Sequence, residues 1–137
     1  MTILEGKTAT LRKKCLAALV ASHLEKEGHV VEVVENRTDS EGRKDGVLVQ
    51  SDKIGLIHVT ATTSTDPNAL VPLTAYKDGT QDPLNEKVYV AFGWNTRDGR
   101  TLIAFVPVRD LIGKKSLSKG ELMRLSDRSL GAVLRET

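Results

Sequence analysis

The chain has 137 residues, 39% apolar, 28% charged and 4% aromatic, with a formal net charge of +2 and a pI of about 8.7. That length suits one domain with its own core of Val, Leu, Ile and Ala, and mild basicity permits nucleic acid as a partner without demanding it. A single cysteine excludes a disulfide framework or a cysteine zinc site within the chain. No apolar run approaches the ~18 residues of a membrane span and no signal-peptide segment is seen, so a cytoplasmic protein with no membrane partner is expected.

Residues 8–27 predict a helix. Leu11, Cys15 and Leu19 form one i, i+4 row and Leu16, Val20 and Leu24 the next, with Thr8 or Thr10 as cap and Gly28 as stop. Arg12, Lys13 and Lys14 crowd its first turns, where the helix dipole disfavours positive charge. His23 and His29 flank its C-terminal end, where a cation is favourable without any function. Val30 to Glu35 is a strand, and residues 36–44 are a polar, Gly-containing loop. Gly46 to Gln50 is a strand, Ser51-Asp52-Lys53 turns the chain, and Ile54 to Thr62 is a strand rich in β-branched residues.

Pro67, Pro72 and Pro83 punctuate residues 63–86, where a short helix over 68–76 is expected, kinked or ended by Pro72. Lys87 to Trp94 and Thr101 to Val106 are strands joined through Asp98-Gly99, and Pro107 stops the second. Val108 to Ile112 is expected to form one helical turn. Ser118 and Glu121 fit a capping box. Leu122, Met123, Leu125, Leu130, Val133 and Leu134 supply apolar positions for one or two terminal helices, which Gly131 weakens. The order α-β-β-β-(α)-β-β predicts an α/β fold with a mixed central sheet flanked by helices. Residues 1–137 are expected to be one domain, with 113–137 as its C-terminal helical extension.

Three stretches resemble nucleases of the PD-(D/E)XK, or restriction-endonuclease-like, superfamily, and within it the archaeal Holliday-junction resolvases. They are the helix ending LEKEGH that runs into VVEVVEN, the hairpin DGVLV…GLIHVTAT, and KVYVAFGWNTRDGRTLIAFVPVRDL. Together they span roughly residues 8–112. The resemblance implies an Asp opening the second strand and Glu-X-Lys on the third. The two acids bind Mg²⁺, which activates water and offsets the charge developing on the phosphorus.

The carry-over is partial. Asp45 matches the first acid, His58 stands where the metal-binding Glu belongs, and Thr60 where the Lys belongs. No acid lies between Lys7 and His23 to serve as the family's helical Glu. Strand periodicity puts His58, Thr60 and Thr62 on one face. A vestigial or altered site at Asp45, His58 and Thr60 is therefore expected, with Asp45 as its weak metal ligand and conventional cleavage lost. An active endonuclease would need Mg²⁺ or Mn²⁺ and a migrated group. Glu32, Glu35 or Asp52 could supply the carboxylate and Lys44 or Lys53 the amine, although solvated surface charge explains each more simply. His58 with Asp45 would suit a softer ion such as Mn²⁺ or Zn²⁺, against the simpler role of a hydrogen-bonded histidine on a half-buried strand.

The resemblance places the start of the first helix and the loop before the second strand near a DNA groove. Arg12, Lys13, Lys14, Arg43 and Lys44 are the expected phosphate contacts. Arg97, Arg100, Lys114, Lys115 and Lys119 are further cations. Branched duplex DNA and a homodimer follow as expected partners, since the resembled resolvases dimerise. A non-catalytic oligomeric assembly protein is the alternative outside nucleic-acid chemistry. No P-loop, Rossmann fingerprint or nucleophile elbow is present in the sequence.

Overall fold

The computed structural model describes residues 9–35, 47–62, 66, 69–72, 87–114, 116–130 and 133–136. Helix α1 (Ala9–Lys26) forms where apolar residues recur every third or fourth position. Leu16, Ala17, Val20 and Leu24 are fully buried on its inner face. It closes at Gly28, whose φ of 90° is open to glycine at no steric cost. There the Gly28 N–H donates to the Glu25 carbonyl and the His29 N–H to the Leu24 carbonyl, both at 3.0 Å, in a Schellman closure. Thr10 lies inside the helix, so it is not the cap, and Thr8 lies outside the described residues.

The strands of the main sheet are β1 (Val31–Val34), β2 (Leu48–Ser51), β3 (Gly55–Thr62), β5 (Lys87–Asn95), β6 (Arg100–Pro107) and β8 (Val133–Glu136). They form one six-stranded sheet in the order β1-β2-β3-β5-β6-β8. All neighbours are antiparallel except β3 and β5, which run parallel. The sheet is therefore mixed, and the chain belongs to the α/β class.

Strand alternation divides the core into two layers. Ile57, Val59, Ala91, Ile103 and Phe105 join the α1 residues on one face. Val90, Phe92, Trp94, Ala104 and Val106 join Val71, Leu111, Leu117 and Leu122 on the other. Because both faces are covered, β6 reads TLIAFV with no polar break from Leu102 to Val106. The second layer holds a 3-10 turn (Val108–Asp110), a two-stranded pairing of β4 (Leu70–Pro72) with β7 (Ser116–Ser118), and helix α2 (Lys119–Leu125).

Two expectations are corrected. The helix over 68–76 is not formed at its centre, because Leu70–Pro72 is a strand. Val71 pairs with Leu117 and buries its branched side chain in the second core layer, a tertiary gain that outweighs helix propensity. Ala69 before it is not helical, and residues 68 and 73–76 lie outside the described residues. The segment 113–137 is not a helical extension either. Among its described residues only Lys119–Leu125 is α-helical, while Ser116–Ser118 and Val133–Glu136 are strands. Phe105 draws the chain along β6 before β8 begins, its N–H donating to Ser126 Oγ (2.9 Å) and its carbonyl accepting from the Asp127 N–H (2.7 Å). No helix among the described residues is long and apolar enough to cross a membrane.

Candidate nucleic-acid interface

The β2–β3 hairpin sets the register of the candidate site. Ser51 is buried at the turn, and its Oγ accepts the N–H groups of Lys53 (3.2 Å) and Ile54 (3.3 Å). His29 Nδ1 lies 2.7 Å from the same oxygen. Asp52 Oδ1 accepts the Val30 N–H at 2.9 Å, and Gly55 adopts a φ of 109°. These contacts hold Leu48 opposite His58 and Val49 opposite Ile57. The Val47 carbonyl accepts the Val59 N–H at 3.1 Å, carrying the pairing beyond the first residue of β2. Asp45, two residues earlier, lies outside the described residues.

Cross-strand pairs share a face, so His58 sits between Leu48 on β2 and Val90 on β5. Thr60 pairs with Phe92, and Thr62 with Trp94. This row faces away from α1 and its members are half-buried. A cavity of about 130 Å³ opens beside Thr60 and Thr62 against Val71, Phe92 and Trp94. Its described lining offers hydroxyls and no carboxylate. Among the described residues, no group of three or more His, Cys, Asp or Glu side chains is arranged to hold a metal ion.

Among the described residues, the groups considered for a migrated site are engaged or exposed elsewhere. Glu32 is exposed on β1, opposite Gln50. Asp52 serves the turn, and Lys53 is exposed at its tip. Glu35 Oε2 lies 3.8 Å from Lys14 Nζ, with both side chains partly exposed. Such a pair contributes about 0–1 kcal/mol, so it tethers Lys14 loosely. Arg12 and Lys13 are half-buried near the start of α1, and Lys14 is exposed. Successive helix positions are ~100° apart, so these three cations fan around the start of the helix. Arg43 and Lys44 lie outside the described residues.

The remaining histidines have structural partners. His23 Nε2 donates to the Leu130 carbonyl at 2.6 Å, and its ring stacks on Phe105 at 5.8 Å. Cys15 is half-buried on α1.

A larger cavity, of about 300 Å³, lies between the turn end of the β5–β6 hairpin and α2, lined by Trp94, Arg97, Leu102, Lys119 and Met123. Sequence periodicity puts Trp94 on the face of Val90 and Phe92, but nothing local to the sequence brings Lys119 above it. The Ser118 cap does so by fixing where α2 begins. Ser118 Oγ accepts the Glu121 N–H (3.1 Å), and Glu121 Oε1 accepts the Ser118 N–H (3.3 Å). The Ser118 N–H, and then the Ser118 hydroxyl donating to the same Oε1 at 3.0 Å, hold the Glu121 carboxyl below the ordinary glutamate range. Burial pushes the Lys119 ammonium below the ordinary lysine range, against the opposing pull of Asp66.

Compared with known proteins, the chain matches no protein-family model, no curated protein and no solved structure.

Proposed function

We propose that this chain is a DNA-binding protein of the restriction-endonuclease-like fold whose conventional metal-dependent cleavage has been lost. Strand β3 carries the proposal. It runs antiparallel to β2 and parallel to β5, and its outer row reads His58, Thr60, Thr62. The resemblance puts a metal-binding carboxylate and a lysine at the first two of those positions. An imidazole and a hydroxyl cannot replace two charges of opposite sign: neither neutralises a hard divalent cation, and neither supplies a fixed positive charge to a phosphate. DNA affinity then rests on cations, with Arg12, Lys13, Lys14, Arg43 and Lys44 as phosphate contacts. A homodimer that engages branched duplex completes the proposal.

The test is retardation of duplex and four-way DNA across a salt series. Five phosphate contacts give a slope of about −4.5 in log K against log salt, or about a 500-fold loss of affinity between 50 and 200 mM. Lys13→Ala with Lys14→Ala should shorten that slope by about 2. Absence of retardation at low salt would refute DNA binding. Cleavage in Mg²⁺ or Mn²⁺ that Asp45→Ala abolishes would refute the loss of catalysis and establish an endonuclease with an altered site.

A further inference from the structure

The six-stranded sheet ends in two edge strands, β1 and β8. An edge offers a row of backbone N–H and C=O groups to any further strand, and charged side chains are a common means of blunting it. β8 reads VLRE, in which half of the residues are charged. β1 reads VEVV, with a single charge, and lies within the run VVEVVE from Val30 to Glu35. Val30 and Val33 are 72% and 40% exposed there.

The ladder shows which groups of β1 face outward. The Asp52 N–H donates to the Val30 carbonyl at 3.0 Å, so residues 30 and 52 form a hydrogen-bonded pair. Such pairs alternate along an antiparallel ladder, so Glu32 and Val34 also turn their N–H and C=O groups to β2. Those of Val31, Val33 and Glu35 point the other way, and among the described residues no strand pairs with that side. The side chains of Val31 and Val33 share the α1 face of the sheet. Val31 packs against the core layer there, while Val33 is left exposed.

We propose that β1 pairs antiparallel with β1 of a second copy of this chain across a twofold axis at Val33, joining the two sheets edge to edge, an inference that rests on the homodimer proposed above and gives it a place. Hydrogen bonding and charge select the register. Outward groups must meet outward groups, so residues 31, 33 and 35 stand opposite one another. With the axis at Val33, Val33 meets Val33, Val31 meets Glu35 and Glu32 meets Val34, and all of 31–35 is paired. An axis at Glu32 would set two carboxylates directly opposite, which is destabilising. An axis at Val31 would need the His29 N–H, which already donates to the Leu24 carbonyl at 3.0 Å. An axis at Val34 would pair only 33–35 within the described chain. A surface that meets its own copy in this way closes as a dimer.

The test is sedimentation of the full chain over a concentration series, in which the parent should pass from monomer to dimer. Val33→Pro removes an outward N–H from each copy and spares the bonds to β2, which use residues 32 and 34. It should weaken dimerisation about tenfold or more. Val33→Lys and Val33→Glu each oppose like charges across the axis and should weaken it likewise. Mixing the two charged variants should restore association, because unlike charges then meet, and a variant that had lost its fold would not recover in this way. A monomer at every concentration overturns both the pairing and the homodimer. A dimer that tolerates all three variants overturns this edge and leaves the homodimer standing. A mixture that associates no better than either charged variant alone overturns the axis at Val33. Retardation of DNA by a strictly monomeric chain refutes the pairing and leaves DNA binding standing.

Discussion

Gly93→Ala tests how α1 lies across the sheet. Gly93 is buried on β5, on the face toward α1, and its backbone is outside the left-handed region, so alanine meets no conformational barrier. The obstacle is Leu16. A Cβ at position 93 would lie 2.5 Å from Leu16 Cδ2, 3.0 Å from its Cγ, and closer still to its Cδ1. Carbon atoms in contact prefer ~3.5–4.0 Å, so Leu16 would have to withdraw by about 1 Å. Leu16 is fully buried, so its withdrawal presses on a close-packed interior. Overpacking of this kind costs about 1–3 kcal/mol, and the loss of glycine's unfolded-state freedom returns about 0.4–1 kcal/mol. Leu16→Ala alone leaves a cavity and costs about 2.7–5 kcal/mol. In the double variant the new methyl group occupies part of that cavity, so the two losses should sum to at least about 1 kcal/mol less than additivity requires. Urea unfolding followed by Trp94 fluorescence and by far-ultraviolet dichroism measures all four proteins. A neutral Gly93→Ala, or an additive double variant, would show that α1 does not cross β5 at this residue.

Two further substitutions probe polar contacts on the two sides of the main sheet. Tyr89 donates to the Asp127 carboxylate, and burial, then that bond and charge, push the phenol from 10.0 up to about 12. A raised value means that the folded chain holds the proton more tightly, so this contribution is complete below pH 10 and is lost as pH climbs toward about 12. Phenolate absorbance should show a step near pH 12 in the parent that Tyr89→Phe lacks, and a step near 10 that is lost in Tyr89→Phe would refute the contact. The same bond holds Asp127 below the ordinary carboxylate range, a contribution complete above that range and lost as pH falls through the depressed value. Tyr89→Phe should therefore also raise the pH of acid unfolding. Ser118→Ala removes the cap of α2 and should cost about 1 kcal/mol in urea unfolding. An unchanged midpoint would show that the capping box is not formed.

Local sequence carried most of the main sheet. GLIHVTAT and KVYVAFGW are strands because β-branched and aromatic residues fit a pleated surface, and Asp98-Gly99 marks the turn between β5 and β6, where Gly99 has a φ of 87°. The segment at Leu70–Pro72 was not legible as a strand. Its three residues carry no period, and its partner, Ser116–Ser118, is more than forty positions away in the chain. Val133–Glu136 misled for a related reason. Its apolar pair Val133-Leu134 fits a helix as well as a strand, and the decision belongs to the free edge of β6, which the local sequence does not show.

The sequence by itself determined α1, the β2–β3 and β5–β6 hairpins, the capping box of α2, and the shared face of His58, Thr60 and Thr62. Each follows from periodicity or turn chemistry within a few residues. Only the tertiary structure decided that β3 and β5 run parallel, that Leu16 rests on Gly93, and that Lys119 and Arg97 meet Asp66 at the end of Trp94's pocket. Those pairings join residues far apart in the chain, and burial and charge select among them only when the whole sheet is assembled.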